Sequence, residues 1–114
     1  MRPIPKSLLI HQVTLQKTTP GDSFYDEEVP DGGTVLKHVR MEPSSKIVRS
    51  KDNAEIQLAA TLIYDCKNTE PRNITFSVDD IIVFHGQKHR VEVVEPLYDS
   101  RKLHHYELGL VKYA

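Results

Sequence analysis

No tryptophan occurs in this chain of 114 residues, and its only cysteine is Cys66. One thiol excludes an intramolecular disulfide and suits a chain made and kept in a reducing compartment. No apolar run approaches the roughly 20 residues that a membrane-spanning helix needs, so no membrane contact is expected. The opening M-R-P-I-P-K-S-L-L-I-H holds two prolines and no apolar stretch ending in small residues, so it does not read as a signal peptide. Production in a cytosol is expected. Helical periodicity is missing as well: no window keeps a 3.6-residue apolar repeat through three turns. Nor is there an excess of one charge. A net charge of -1 offers no global pull toward nucleic acid or an acidic membrane, and any such contact must come from local patches.

What is present is a strand-forming composition. Five tyrosines and three phenylalanines are the only aromatics, so Val, Ile and Leu must build the core. Leu9, Val13 and Leu15 alternate with Ile10, Gln12, Thr14 and Gln16. Val35, Val39 and Met41 alternate with His38, Arg40 and Glu42, and the intruding Lys37 suggests a bulge or a weakly buried edge. Ile56, Leu58, Ala60, Leu62 and Tyr64 line one face of the clearest strand. Ile74 to Phe76 adds a short segment. The end of the chain reads as three antiparallel strands: Ile81 to Phe84, a tight turn at His85-Gly86, Lys88 to Glu95, a loop from Pro96 to Lys102, and Leu103 to Lys112. The expectation is one domain over residues 1–114: a small antiparallel β-barrel or sandwich of about six strands. Its core is drawn from Val13, Leu15, Val39, Ile56, Leu58, Leu62, Ile82, Phe84, Val91, Val93, Tyr106, Leu108 and Leu110.

Two connections exceed simple turns. Residues 17–33 carry Asp22, Asp26, Glu27, Glu28 and Asp31 with no base beyond Lys17, and residues 43–53 carry Lys46, Arg49 and Lys51 with one acid. Loops this long are usually functional or disordered, which makes them the first candidates for partner contact. The basic loop can meet a phosphate backbone or be a solvated connection. It lacks the aromatics of a single-strand stacking platform.

Catalytic and metal-binding signatures are weak. His104 and His105 are neighbours on a strand and should face opposite ways, and His85 and His89 flank a turn without a completing Cys pair or carboxylate cluster. No nucleophile elbow is present, and Lys67 alone does not activate Cys66. Gly32-Gly33 is a turn without a phosphate-binding Lys, and the pairs Glu27-Glu28 and Asp79-Asp80 read as loop residues. No enzyme, metal or cofactor is expected.

Three segments, R-P-I-P-K-S-L-L, V-R-M-E-P-S-S-K-I-V-R with E-I-Q-L-A-A-T-L-I-Y-D-C, and D-D-I-I-V-F-H-G-Q-K-H-R-V-E-V-V-E-P-L-Y-D with L-H-H-Y-E-L-G-L, together resemble the minor capsid proteins of tailed phages and prophages of Gram-positive bacteria. More distantly, the strand-turn-strand-loop-strand ending resembles head-completion, or stopper, proteins of the head–tail connector. That resemblance implies a virion protein of the phage neck: a β-barrel assembling as a ring of twelve under the portal and adaptor. It further implies help in retaining packaged DNA and a platform for the tail. By position, residues 43–53 then correspond to the loop that reaches the DNA channel. A tail-completion or terminator protein and a small nucleic-acid-binding barrel using Lys46, Arg49 and Lys51 are the alternatives.

Overall fold

A computed structural model describes residues 2–19, 29–30, 33–49 and 52–113. Among them there is no helix, and ten strands follow one another: β1 (His11–Gln16), β2 (Thr18–Thr19), β3 (Val29–Pro30), β4 (Thr34–Pro43), β5 (Ile47–Arg49), β6 (Glu55–Gln57), β7 (Ala60–Asp65), β8 (Ile81–Phe84), β9 (Gln87–Tyr98) and β10 (Leu103–Lys112). Six of them close an antiparallel barrel in the order β1-β4-β7-β10-β9-β8, with β8 pairing back onto β1. Closure removes the long sheet edges that would otherwise invite association. The other four form two small ribbons, β2 with β3 and β5 with β6.

Local chemistry explains the corners. His85 and Gly86 both take positive φ, 51° and 76°, which is the two-residue hairpin turn that matches strand twist. The β1–β4 register passes from His11↔Val39 to Gln12↔Lys37, so His38 is the extra residue of a bulge and sits at φ 60°. The bulge suspected at Lys37 is thus one residue on. It frees the Lys37 backbone to exchange hydrogen bonds with Glu70, at 2.8 and 3.0 Å.

Leu36, Val39, Leu62, Ile82, Val91, Leu108 and Leu110 are wholly buried, with Val13, Leu15, Met41, Ala60 and Tyr64 beside them. Of the expected core, Ile56, Phe84, Val93 and Tyr106 are only partly buried. Leu9, Leu36, Met41 and Ile81 join the buried set instead. Tyr64, Phe76 and Tyr106 meet edge to face, and the Tyr64 hydroxyl donates to the Pro71 carbonyl at 2.6 Å. Ile74 and Phe76 pack on this core from an irregular segment, not the short strand expected.

Two further boundaries differ. Strand β9 runs through Pro96, paired with Tyr106, to Tyr98, so the loop before β10 is only residues 99–102. Asp99 Oδ1 closes that turn by accepting the Arg101 and Lys102 N–H groups. The strand expected through Ile56 to Tyr64 breaks at Leu58-Ala59 into β6 and β7.

Candidate functional site

The break at Leu58 creates the most prominent surface element. Within the segment anticipated as a basic loop, residues 43–53, Pro43 ends β4 and Ile47–Arg49 form the outgoing strand of a hairpin arm. Strand β5 leaves and β6 returns, in the register Ile47↔Gln57, Val48↔Ile56 and Arg49↔Glu55. The arm is its own two-stranded sheet, separate from the barrel. Its root is fixed by Ser44 N–H donating to Ala59 O at 3.1 Å, Leu58 N–H to Lys46 O at 2.8 Å and Ala59 N–H to Leu110 O at 2.8 Å. The Leu58 side chain turns inward there and is buried. Ile47, by contrast, is 60% exposed on the arm.

The arm changes the electrostatic reading of the basic cluster. Lys46 and Arg49 are both exposed on it. Arg49, however, donates to the Asn53 backbone and side-chain oxygens at 3.1 and 3.4 Å and stands 3.9 Å from Glu55. The returning strand brings an acid that the outgoing half did not count. Lys51 lies outside the described residues, as do Asp22, Asp26, Glu27, Glu28 and Asp31 of the acidic stretch. That stretch is framed by a second ribbon, Thr18↔Pro30 and Thr19↔Val29.

The remaining polar groups are chiefly structural. Asp65 is fully buried, and its carboxylate accepts the N–H groups of Ile4, Lys67 and Asn68 at 3.0, 3.1 and 2.8 Å. It thereby ties the N-terminal segment to the turn after β7. Asp80, also buried, pairs with Lys17 at 2.8 Å and accepts the Ser77 N–H. Burial pushes the Cys66 thiol up, the Asp65 carboxylate adds to this, and Lys102 opposes it. The thiol is therefore a poor nucleophile. His85 and His89 line one open cavity of about 310 Å³ with Glu42 and Phe84. Among the described residues no three His, Cys, Asp or Glu gather as a metal site.

One expectation about the histidines is overturned. His104 and His105 do not face opposite ways: their rings lie 5.0 Å apart, edge to face, with the Nδ1 atoms 2.7 Å from each other. The register explains it, stepping from Leu103↔Tyr98 to His105↔Leu97, so that His104 is the extra residue of a bulge and strict alternation fails. No alternation pattern in the sequence announces that bulge.

A barrel with an arm, small and polar, is the frame on which similarity can be judged. The family model for minor capsid proteins matches residues 5–110, nearly the whole barrel and all of the arm. The chain belongs to the minor capsid protein family. It is thus a phage structural protein, one that assembles with other virion components. No curated protein and no solved structure matches it. No helix among the described residues of this minor capsid protein is long and apolar enough to cross a membrane.

Proposed function

We propose that this minor capsid protein is a head–tail connector subunit, the stopper of the neck, whose rings help retain packaged DNA and present a platform to the tail. The observation that carries the proposal is the β5–β6 arm. It is a stiff ribbon held at its root by three backbone hydrogen bonds, and it leaves a closed barrel that has no other task for it. In a ring of twelve, the arms act together in the channel. Since Arg49 is engaged by Asn53 and Glu55, the arm works mainly as a steric barrier, with Lys46 and Lys51 adding modest phosphate attraction.

Partners follow from the position in the neck: the portal or adaptor on one side and tail proteins on the other. The acidic stretch with Asp22, Asp26, Glu27, Glu28 and Asp31 would meet a basic surface on such a neighbour. The isolated subunit is expected to be monomeric and to form its ring on a symmetric template. The exposed apolar residues Leu8, Ile10, Val35, Ile47, Val78, Tyr98 and Tyr113 come from several segments of the chain. Sedimentation that finds a large ring at micromolar concentration without partners contradicts this.

The decisive experiment replaces residues 47–56 with a short turn and keeps Ser44, Leu58 and Ala59. The barrel should fold, because closure entropy changes slowly with loop length. Filled heads carrying the deletion should leak DNA or fail to join tails. Normal retention and joining would refute the channel role, and a tail-terminator position seen by electron microscopy would move the subunit along the neck.

A further inference from the structure

The bulge at His104 turns two neighbouring rings toward each other, and the hydrogen bonds around them leave one position to fill. His104 Nε2 lies 2.6 Å from the Arg2 carbonyl oxygen, and His105 Nε2 lies 3.0 Å from Glu107 Oε2. A carbonyl and an ionised carboxylate only accept, so both Nε2 atoms carry the hydrogen. An imidazole with its hydrogen on Nε2 presents a bare lone pair at Nδ1. The two Nδ1 atoms stand 2.7 Å apart, and two lone pairs at that separation need a cation between them.

We propose that His104 and His105 form a chelating site for a divalent transition metal ion that prefers nitrogen, Cu²⁺ or Ni²⁺. The surroundings are those of metal-binding histidines, whose remote N–H is characteristically held by a carboxylate or a backbone carbonyl that fixes the tautomer. Glu107 and Arg2 supply one of each. The bite selects the ion. With nitrogen–metal bonds of about 2.0–2.1 Å, a 2.7 Å separation gives an angle of roughly 80° at the metal. That suits neighbouring positions of a square-planar or tetragonal ion and falls well short of the tetrahedral angle. The ion stands off the line between the two nitrogens, so each ring turns by roughly 50° to bring a lone pair aimed at its neighbour onto the ion. The Arg2 carbonyl and the Glu107 carboxylate follow the Nε2 atoms.

On the His104 side a surface cavity of about 230 Å³ is lined by that residue with Pro3, Cys66, Asp99 and Lys102. The Glu107 carboxylate offsets part of the added charge. With two protein ligands the ion keeps positions for water or for a group from a neighbouring subunit. Binding would also steady the N-terminal segment, because fixing the His104 ring fixes its contact with Arg2.

The test titrates the untagged full chain with Cu²⁺ by calorimetry and by electron paramagnetic resonance. One tight Cu²⁺ per chain, with two coordinated imidazole nitrogens, is expected. His104→Gln and His105→Gln should each weaken it by at least about tenfold, and Glu107→Gln by about tenfold through its hydrogen bond. His85→Gln should leave it unchanged. Undiminished binding in both His104→Gln and His105→Gln, or loss in His85→Gln, overturns the proposal. Paramagnetic broadening in the unaltered protein gives a second reading that needs no variant. Amide signals of residues 103–107 and of Arg2 and Ile4 should vanish first, and broadening centred on His85 and His89 instead would assign the metal elsewhere and refute the site.

Discussion

Adding one carbon at Gly109 should disturb the root of the arm, and the size of the disturbance can be worked from neighbouring atoms. A Cβ at this position of β10 would lie 2.9 and 3.2 Å from the two methyl carbons of Leu58 and 3.3 Å from Val93 Cβ. All three distances fall short of ordinary contact, and Leu58, only 5% exposed, has little open space into which to swing. Overpacking of this kind costs about 1–3 kcal/mol. Against it stands a gain of about 0.4–1 kcal/mol from restricting the unfolded chain, because the φ of Gly109 lies outside the left-handed region and alanine fits the backbone. Gly109→Ala should therefore destabilise by about 1–2 kcal/mol. Leu58→Ala should cost about 2–5 kcal/mol by opening a cavity. In the double variant the added methyl occupies part of that cavity and meets no leucine. The pair should then be more stable than the sum of the single changes by at least about 1 kcal/mol. Urea unfolding followed by circular dichroism measures all four corners of the cycle. Additivity within about 0.5 kcal/mol would mean that Leu58 does not sit over Gly109, and the account of the arm root would fail.

Asp65→Ala removes the acceptor of three backbone N–H groups in a fully buried place and should cost about 3–5 kcal/mol in thermal or urea unfolding, with Asp65→Asn recovering part. Faster amide exchange at Ile4 should accompany it, and an unchanged rate would show that the N-terminal segment is held elsewhere. Lys17→Met strands the buried Asp80 carboxylate, but Lys17 is 34% exposed and solvent screens the pair, so a loss of about 1–2 kcal/mol is expected. Adding Asp80→Asn should return most of it, and a further loss would contradict the pairing. Burial, then Arg40 and His85, lower the pKa of His11 below its ordinary 6.5, while Glu42 opposes them. Its neutral Nδ1 also accepts the Met41 N–H at 2.9 Å. The unfolded chain then binds the proton more readily, so this group's stabilisation is present above pH 6.5 and is lost as pH falls from 6.5 through the lowered value. His11→Gln should flatten that slope in unfolding experiments at a series of pH values, and an unaltered slope would assign it to another group.

The alternation of Val13 with Leu15, Leu62 with Tyr64 and Leu108 with Leu110 states a buried face directly, because a strand in a closed barrel has one side to hide. For the same reason the turn at His85-Gly86 and the span of β10 were legible from residue type alone. Apart from the bulge suspected at Lys37 and found at His38, what escaped were the places where the chain leaves the period of two. At Leu58-Ala59 the alternation continues in residue type while the backbone departs from the barrel, so Ile56 was assigned to the core although it belongs to the arm. The ladder that makes β5 and β6 a ribbon is a pairing between residues ten apart, Ile47 with Gln57, and no single-strand pattern encodes a partner. This error had a functional consequence: counting the outgoing half alone gave a basic loop, whereas the returning half supplies Glu55 opposite Arg49.

The bulge at His104 escaped for a related reason, and together with the one at His38, suspected a residue earlier, it shows where function enters such a barrel. A bulge adds a residue that the ladder does not need, and its side chain is released from strict alternation. At His38 the released backbone is spent on structure, because Thr69 Oγ1 donates to the His38 carbonyl at 2.6 Å and Lys37 turns to Glu70. At His104 the carbonyl likewise accepts a hydrogen bond, from the Cys66 backbone N–H at 3.1 Å, and it is the ring that differs. The extra residue brings a second imidazole onto the side of the first, with an acceptor behind each ring. A ladder without the bulge would place those rings on opposite faces and give neither a shared ion. Removing the bulge therefore separates fold from chemistry. Deleting His104 should make Leu103↔Tyr98 and His105↔Leu97 consecutive pairs of a plain β9–β10 register, leave Leu108 and Leu110 on their faces, and cost the barrel only the bond from the Cys66 N–H to the His104 carbonyl. Circular dichroism and urea unfolding would show the retained fold, and the Cu²⁺ titration would show the lost chelate. A deletion that unfolds the barrel would instead make the bulge a structural requirement of β10.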